Sequence, residues 1–83
     1  MDDVRKLDKA YDLCLESGLC SGHPKRVIIA SLHYLYLIVN SLYRSQRYIG
    51  RLHNVSLTTM SKNVHRILDS VYCEEILELL RDV

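Results

Sequence analysis

The amino-acid sequence predicts one all-α domain, residues 1–83, with about five helices packed around a central apolar helix. The length of 83 residues suits a single domain. Hydrophobic residues make up 48% of the chain and charged residues 25%, which is the balance of a folded globular protein. Apolar residues recur at spacings of three and four, and no alternating strand pattern of any length is present.

The first predicted helix begins at Asp2 or Asp3, either of which can cap its N-terminus. It ends near Gly18, because glycine readily takes the left-handed conformation that terminates helices. A loop with the sequence GLCSGHP follows, and Pro24 opens the next helix, where its missing N–H is harmless. The predicted buried face of the first helix comprises Val4, Leu7, Ala10 or Tyr11, and Cys14.

The second predicted helix, from about Pro24 to Tyr43, is apolar on nearly every side between Val27 and Val39. A helix of this kind is surrounded by other helices, so we expect it at the centre of the bundle. Its apolar run of 13 residues is too short for a membrane span, which needs about 20 residues, and we expect no membrane association. We interpret His33 within it as a hydrogen-bonded core or half-buried histidine rather than a ligand.

Three shorter helices complete the predicted bundle. The third runs from about Ser45 to Leu52, the fourth from about Leu57 to Val71, and the fifth lies within Cys73–Arg81. Their predicted inward-facing residues are Tyr48, Ile49 and Leu52 in the third helix, Met60, Val64, Ile67 and Leu68 in the fourth, and Ile76, Leu79 and Leu80 in the fifth.

Charge is strongly segregated along the chain, although the formal net charge is only +1. Residues 1–17 carry a net charge of −2 and residues 69–83 a net charge of −4, whereas residues 18–68 carry seven Lys or Arg and no Asp or Glu. A folded segment of this composition favours a polyanionic partner. A solvated basic face held beside acidic helices is the alternative interpretation.

Within the basic segment, the stretch around Gly50 has the spacing of a DNA-binding helix-turn-helix. Gly50 leaves room for a second helix to cross closely, and Asn54, four residues later, tolerates the positive φ of the turn. Val55 follows as the buried turn residue, and Met60 anchors the second helix. Ser56 is a good N-cap for a helix that enters the major groove. A helical hairpin used only for packing is the alternative.

The helix-turn-helix interpretation divides the DNA-contacting residues into two groups. Exposed side chains of the fourth helix would contact base edges, and basic side chains on either side would contact phosphates. The predicted base-reading residues are Leu57, Thr58, Ser61, Lys62 and His65, and the predicted phosphate-contacting residues are Arg44, Arg47, Arg51, Arg66, Lys25 and Arg26.

Catalytic and metal-binding chemistry is not indicated by the sequence. Cys14, Cys20 and His23 are ligand types, but the spacing C-x5-C-x2-H matches no standard zinc motif. No Gly-rich phosphate loop or nucleophile motif is present, so we expect no enzyme activity, no metal and no cofactor. The odd number of cysteines and the polar N-terminus, without a signal peptide, predict an intracellular protein with buried thiols.

Two stretches carry a Gly-Leu-x-x-Gly motif, a Pro-initiated central helix and a turn that reads Val-Ser. They are AYDLCLESGLCSGHPKRVIIASLHYLYLIV and SQRYIGRLHNVSLTTMSKNVHRIL. Together they resemble the second cyclin-like repeat of archaeal transcription factor B and eukaryotic transcription factor IIB, over roughly residues 7–70. The matching positions are Ala10, Gly18, Leu19, Gly22, Pro24, Ala30, Tyr34, Gln46, Ile49, Val55, Ser56, Thr59 and Leu68.

The resemblance implies a cyclin-like helical bundle that contacts TATA-binding protein and places a recognition helix in the major groove. By position, the base-reading side chains would be Thr58 and Ser61, and Ser61 stands where the family usually has Arg. Ser45, Gly50 and Met60 stand where the family usually has Thr, Ala, and Ile or Val. The implied location is the cytoplasm of an archaeal cell or the nucleus of a eukaryotic one.

The first helix of that repeat has no counterpart here, because Met1 falls where its second helix begins. We therefore expect an apolar groove, filled either by the helix Cys73–Arg81 folding back or by a second chain in a homodimer.

Two functional expectations follow. The first is a small DNA-binding transcription regulator that binds double-stranded DNA with helix 57–70 in the major groove. The alternative is a cyclin-like protein-interaction module that binds TATA-binding protein or another transcription component without reading DNA. RNA binding is a weaker expectation, since the six Tyr residues lie mostly at apolar helical positions.

Overall fold

The structure, a computed structural model, describes residues 2–42 and 44–81, and the side chains of residues 2–4 are outside this description. These residues form five α-helices and no β-strand, which confirms the predicted all-α class. The principal extents are 28 × 27 × 22 Å. No helix in the described ranges is long and apolar enough to cross a membrane. The helices are α1 (Asp2–Ser17), α2 (Lys25–Val39), α3 (Gln46–His53), α4 (Leu57–Leu68) and α5 (Cys73–Leu80).

Helix α2 is the centre of the bundle, as its all-round apolar character predicts. It packs against each of the other four helices, while α1 also packs on α5 and α3 on α4. Helix α5 thus folds back against α1 and α2, and the homodimer expected as the other arrangement stays a prediction. The buried side chains of α2 are Val27, Ile28, Ala30, Ser31, Leu32, Leu35 and Tyr36.

The predicted boundaries of α1 and the start of α2 are close to those observed. Gly18 follows the last residue of α1 with φ +83°, the left-handed conformation expected of a helix terminator. Pro24 occupies the N-cap position with φ −64°, one residue before the first helical residue of α2. The predicted capping by Asp2 or Asp3 concerns side chains outside the described residues.

Helix α2 ends at Val39, so the prediction that it continues towards Tyr43 is wrong; Tyr43 itself lies outside the described residues. The side-chain Nδ2 of Asn40 donates to the carbonyls of Tyr36 at 2.9 Å and Leu80 at 3.0 Å, and Ser41 takes φ +58°. The contact of Asn40 with the distant α5 and the left-handed Ser41 that follows Asn40 end the helix.

Helix α4 ends at Leu68, so the prediction that it continues to about Val71 is wrong. Asp69 is the C-cap, and the Ser70 hydroxyl donates to the carbonyl of Ile67 at 2.8 Å and accepts from the backbone N–H of Tyr72 at 3.3 Å. Serine side chains that bond to nearby backbone groups compete with helix continuation.

Three residues predicted to face inward are substantially exposed. Tyr48 is 48% exposed, Leu52 57% and Leu68 40%. Helix α3 has only eight residues and buries Ile49 and Gly50 against its neighbours, so its Tyr48–Leu52 flank lies beside a shallow groove rather than under another helix. The other predicted core positions of α4, namely Met60, Val64 and Ile67, are buried.

Candidate nucleic-acid interface

The turn between α3 and α4 has the backbone geometry that the sequence predicts. Asn54 is left-handed, with φ 56° and ψ 49°, and its N–H donates to the carbonyl of Arg51 at 3.3 Å. The N–H of Val55 donates to the carbonyl of Gly50 at 2.8 Å. A Cβ built on Gly50 would lie only 2.7 Å from the carbonyl oxygen of Val55. The glycine therefore permits the close approach of the turn to α3.

Serine side chains cap both helices of this pair. The hydroxyl of Ser45 accepts from the N–H of Tyr48 at 3.1 Å, and the hydroxyl of Ser56 accepts from the N–H of Thr59 at 3.2 Å. Ser56 also donates to the hydroxyl of Thr59 at 2.8 Å. Such caps satisfy otherwise unpaired N–H groups and fix where each helix begins.

The outer face of α4 is open to solvent. Met60, Asn63, Val64 and Ile67 turn inward and are buried. On the opposite side, four of the five predicted base-reading residues are exposed, while Ser61 is half-buried. The N-terminal residue of α3, Gln46, joins all five of them around a shallow depression, and these five residues are Leu57, Thr58, Ser61, Lys62 and His65.

Three of the predicted phosphate-contacting arginines lie on or next to α3. Arg44, Arg47 and Arg51 are all exposed, and Arg47 and Arg51 are one helical turn apart, so their side chains leave the same face of α3. Residues 18–68 contain no carboxylate, so every charged side chain of α3 and α4 is basic, which favours an anionic partner.

The other three predicted phosphate-contacting residues lie closer to the loop between α1 and α2. Arg66 is half-buried, and its Nη2 donates to the carbonyl of Gly18 at 3.4 Å, so a phosphate contact would require it to leave this loop. The ammonium of Lys25 lies 5.0 Å from the ring centre of Tyr11. Arg26 is exposed beside Lys25 at the start of α2.

A histidine pair joins α2 to α3, and the sequence predicts only half of it. The sequence predicts that His33 is hydrogen-bonded but does not indicate its partner. The structure places Nδ1 of His33 2.9 Å from Nε2 of His53, the last residue of α3, with ring centres 5.2 Å apart and planes at 90°. Burial lowers the pKa of His53 below its ordinary value.

The cysteines occupy a different part of the molecule. Cys14 and Cys20 are buried, Cys73 is half-buried, and all three are free thiols. Burial, and then the neighbouring Cys20, raise the pKa of Cys14 to about 12, which leaves its thiol protonated and unreactive at neutral pH. Among the described residues, no three His, Cys, Asp or Glu side chains are grouped so that they could hold a metal ion.

Two grooves lie outside the depression on α4. One, between α2 and α3, is lined by Leu37, Leu42, Tyr48, Leu52 and Arg44, among others, and the first four are apolar or aromatic. The other lies between α1 and α5 and carries the carboxylates of α5, with the lining residues Leu13, Glu74, Glu75, Leu77, Glu78, Leu79 and Arg81.

Comparison with known proteins gives no match to a family model, a curated protein or a solved structure. The resemblance to the transcription factor B repeat therefore stays a prediction. A functional assignment has to rest on the turn geometry, the exposure of α4 and the distribution of charge.

Proposed function

We propose that this protein is a small DNA-binding transcription regulator that places α4 in the major groove of duplex DNA. The observation that carries the proposal is the combination of a left-handed turn at Asn54 with an open polar face on the helix that follows it. A capped helix with an exposed outer face has the dimensions that the major groove admits.

The side chains on this face suit contacts with base edges. Lys62 has an ammonium that can donate to the O6 and N7 acceptors of guanine, and the hydroxyls of Thr58 and Ser61 can donate or accept. The imidazole of His65 offers both a donor and an acceptor. Leu57 can contact a thymine methyl group. Contacts of these kinds would give sequence preference.

Phosphate contacts would come from the arginines of α3. Arg47 and Arg51 leave one face of the helix, one turn apart, and Arg44 precedes it. Guanidinium groups bind phosphate oxygens in a bidentate manner. If about five phosphates are neutralised by these arginines together with other basic residues, the log–log dependence of the binding constant on salt has a slope of about −4.5.

Fluorescence anisotropy with a labelled random duplex, measured at several salt concentrations, tests the proposal. We expect saturable binding at low salt that weakens steeply towards physiological salt. A binding constant that does not change with salt, or the absence of saturable binding at low salt, would refute the proposal.

A pair of variant classes tests the placement of α4. The charge reversals Arg47→Glu and Arg51→Glu should weaken binding to all duplexes alike, because phosphate contacts carry no sequence information. Thr58→Ala and Lys62→Ala should instead change the preferred sequence in a selection from random duplexes. Identical behaviour of the two classes would show that α4 does not enter the groove.

The second candidate function is a protein-interaction module, and the groove between α2 and α3 favours it. Leu42 and Leu52 are 50% and 57% exposed there, beside the half-exposed Tyr48, and exposed apolar patches often mark protein-binding sites. The resemblance implies TATA-binding protein as one partner. Binding of purified TATA-binding protein without DNA, lost in Leu52→Asp, together with no retention of duplex DNA, would favour this function over the first.

A further inference from the structure

The groove between α1 and α5, called the α1–α5 groove below, has an apolar lining that the proposed function does not use. Its volume is about 740 Å³, and Leu13 of α1 lines it together with Leu77 and Leu79 of α5. All three leucines are half-buried, so each still presents apolar surface to solvent. Apolar surface gathered in a groove becomes more stable when a partner covers it. The α1–α5 groove is therefore a candidate binding surface.

Carboxylates stand beside these leucines. The charged residues that line the groove are the exposed Glu74, Glu75, Glu78 and Arg81, which gives the lining a net charge of −2. The guanidinium of Arg81 lies 3.4 Å from the carboxylate of Glu78, so this exposed pair contributes one charge of each sign. The remaining negative charge is that of Glu74 and Glu75 in the first turn of α5.

The cations near the groove are gathered towards the end of α5. The Nζ of Lys6 donates to the carbonyl of Arg81 at 2.9 Å, so the first turns of α1 lie beside the last turn of α5. The exposed Lys9 is one turn further along α1. The exposed Glu16, near the end of α1, lies towards the start of α5. The groove is therefore most acidic at the start of α5.

This distribution of charge selects the kind of partner. DNA and anionic membranes are repelled by the carboxylates at the start of α5. A second copy of the same groove brings a net charge of −2 against −2, and its Arg81 is already paired with Glu78. A segment that carries Lys or Arg beside an apolar stripe complements both the leucines and the carboxylates.

The length of the groove suits two turns of a helix. Residues 74–81 line it from one end of α5 to the other, which is about 10.5 Å at the helical rise per residue. The same distance separates positions i and i+7 of a helix that lies alongside. Apolar side chains at i, i+4 and i+7 form one stripe, which is the pattern of helices that bind in apolar grooves.

We propose that the α1–α5 groove binds a basic amphipathic helix of a partner protein. The apolar stripe of that helix packs against Leu13, Leu77 and Leu79, and its basic residues pair with Glu74 and Glu75. This inference does not depend on DNA binding, because the residues that line the α1–α5 groove are separate from those of the α4 face. Together with the proposed function, it gives a chain that binds DNA through α4 and protein through α1 and α5.

Fluorescence anisotropy with three labelled peptides of about 14 residues, or four helical turns, is the first test. One peptide contains only leucine, alanine and lysine, with its leucines in a single i, i+4, i+7 stripe. The second has the same composition with the leucines spread around the helix, and the third replaces every lysine of the first by glutamate. We expect saturable binding of the first peptide, binding at least about tenfold weaker for the second, and no saturable binding of the third.

Two outcomes of this measurement would overturn the inference. One is the absence of saturable binding of the first peptide up to about 1 mM, the weakest affinity of a specific site. The other is equal binding of the first and second peptides, which would mean that charge alone attracts them.

Variants of the chain locate the site. The double variant Glu74→Gln, Glu75→Gln keeps side-chain size and should weaken binding of the first peptide about three- to tenfold through loss of two exposed ion pairs. The matched control Asp8→Asn, Asp12→Asn removes two exposed carboxylates of α1 outside the groove lining and should stay within about twofold of wild type. Leu79→Gln should weaken binding at least about tenfold. Equal losses in the two double variants would contradict the inference.

Two measurements on the wild-type chain do not depend on how the variants fold. Amide chemical shifts recorded during titration with the first peptide should change mainly in residues 9–16 and 74–81. Changes confined to α3 and α4 would overturn the inference. The solution mass of the chain alone should not depend on the groove, so a mass of two chains that falls to one in Leu79→Gln would show that a second copy occupies it and would overturn the inference as well.

Discussion

Replacement of Gly50 by alanine is the most direct perturbation of the turn between α3 and α4. The added Cβ would lie 2.7 Å from the carbonyl oxygen of Val55, whereas ordinary van der Waals contact begins at 3.4 Å. The oxygen would have to retreat by roughly 0.7 Å. It belongs to the backbone rather than to a flexible side chain, so the turn itself must move. The same movement strains the 2.8 Å hydrogen bond from the N–H of Val55 to the carbonyl of Gly50.

Three effects set the magnitude. Overpacking costs about 1–3 kcal/mol, and weakening of the hydrogen bond costs about 0.5–1.5 kcal/mol. Alanine in place of glycine in a helix returns about 1 kcal/mol. The free energy of unfolding should therefore fall by about 2 kcal/mol, which corresponds to a decrease in Tm of about 8–16 °C for a domain of this size.

Thermal and urea denaturation followed by far-UV circular dichroism measure this change. Arg47→Ala is the matched control, because it places an alanine at an exposed position of the same helix, and it should change stability by less than about 0.5 kcal/mol. Gly50→Val should be more destabilising than Gly50→Ala. An unchanged or raised Tm in Gly50→Ala would show that the turn does not approach α3 closely, and would refute the reasoning.

Further predictions concern the turn, the cap, the exposed flank of α3 and the half-buried His53. Asn54→Ala should cost about 1–2 kcal/mol because of its left-handed conformation, whereas Asn54→Gly should be nearly neutral; equal urea midpoints for the two would contradict this. Ser56→Ala should cost about 1 kcal/mol through loss of the N-cap, and a change below the error of urea denaturation would argue against the cap. Leu52→Ser should cost less than about 1 kcal/mol because Leu52 is 57% exposed, and a larger loss would mean that the residue is buried. Burial lowers the pKa of His53, so the folded state favours the neutral ring. The contribution of His53 to the free energy of unfolding should be fully present above the ordinary imidazole pKa of about 6.5 and should be lost as the pH falls below that value. If a His53→Gln variant lost the same stability between pH 7 and pH 5, His53 would be ruled out as the cause.

Local chemistry made several features of the fold predictable. Gly18 ends α1 and takes the left-handed conformation, while Pro24 precedes α2 and Ser56 caps α4. Each of these roles depends on the residue itself and on neighbours within one helical turn. The all-round apolar character of α2 likewise predicted its central position, because a helix without a polar face has to be covered on all sides.

Predictions failed where the answer depended on distant parts of the chain. Helix α2 stops before its predicted end because Asn40 reaches the carbonyl of Leu80, 40 residues away. Tyr48 and Leu52 have helical apolar spacing, yet no helix in the described residues covers that flank. Of the candidate interface, the exposed face of α4 could be predicted from helical periodicity, but the attachment of Arg66 to the loop at Gly18 could not.

The sequence by itself determined that the chain is helical, where most of its helices begin, and which residue makes the sharp turn, since these follow from backbone preferences and capping over a few residues. Tertiary structure alone decided which flanks stay open and that His53 meets His33. Both depend on which helices come together, and a pattern confined to one helix carries no information about its neighbours.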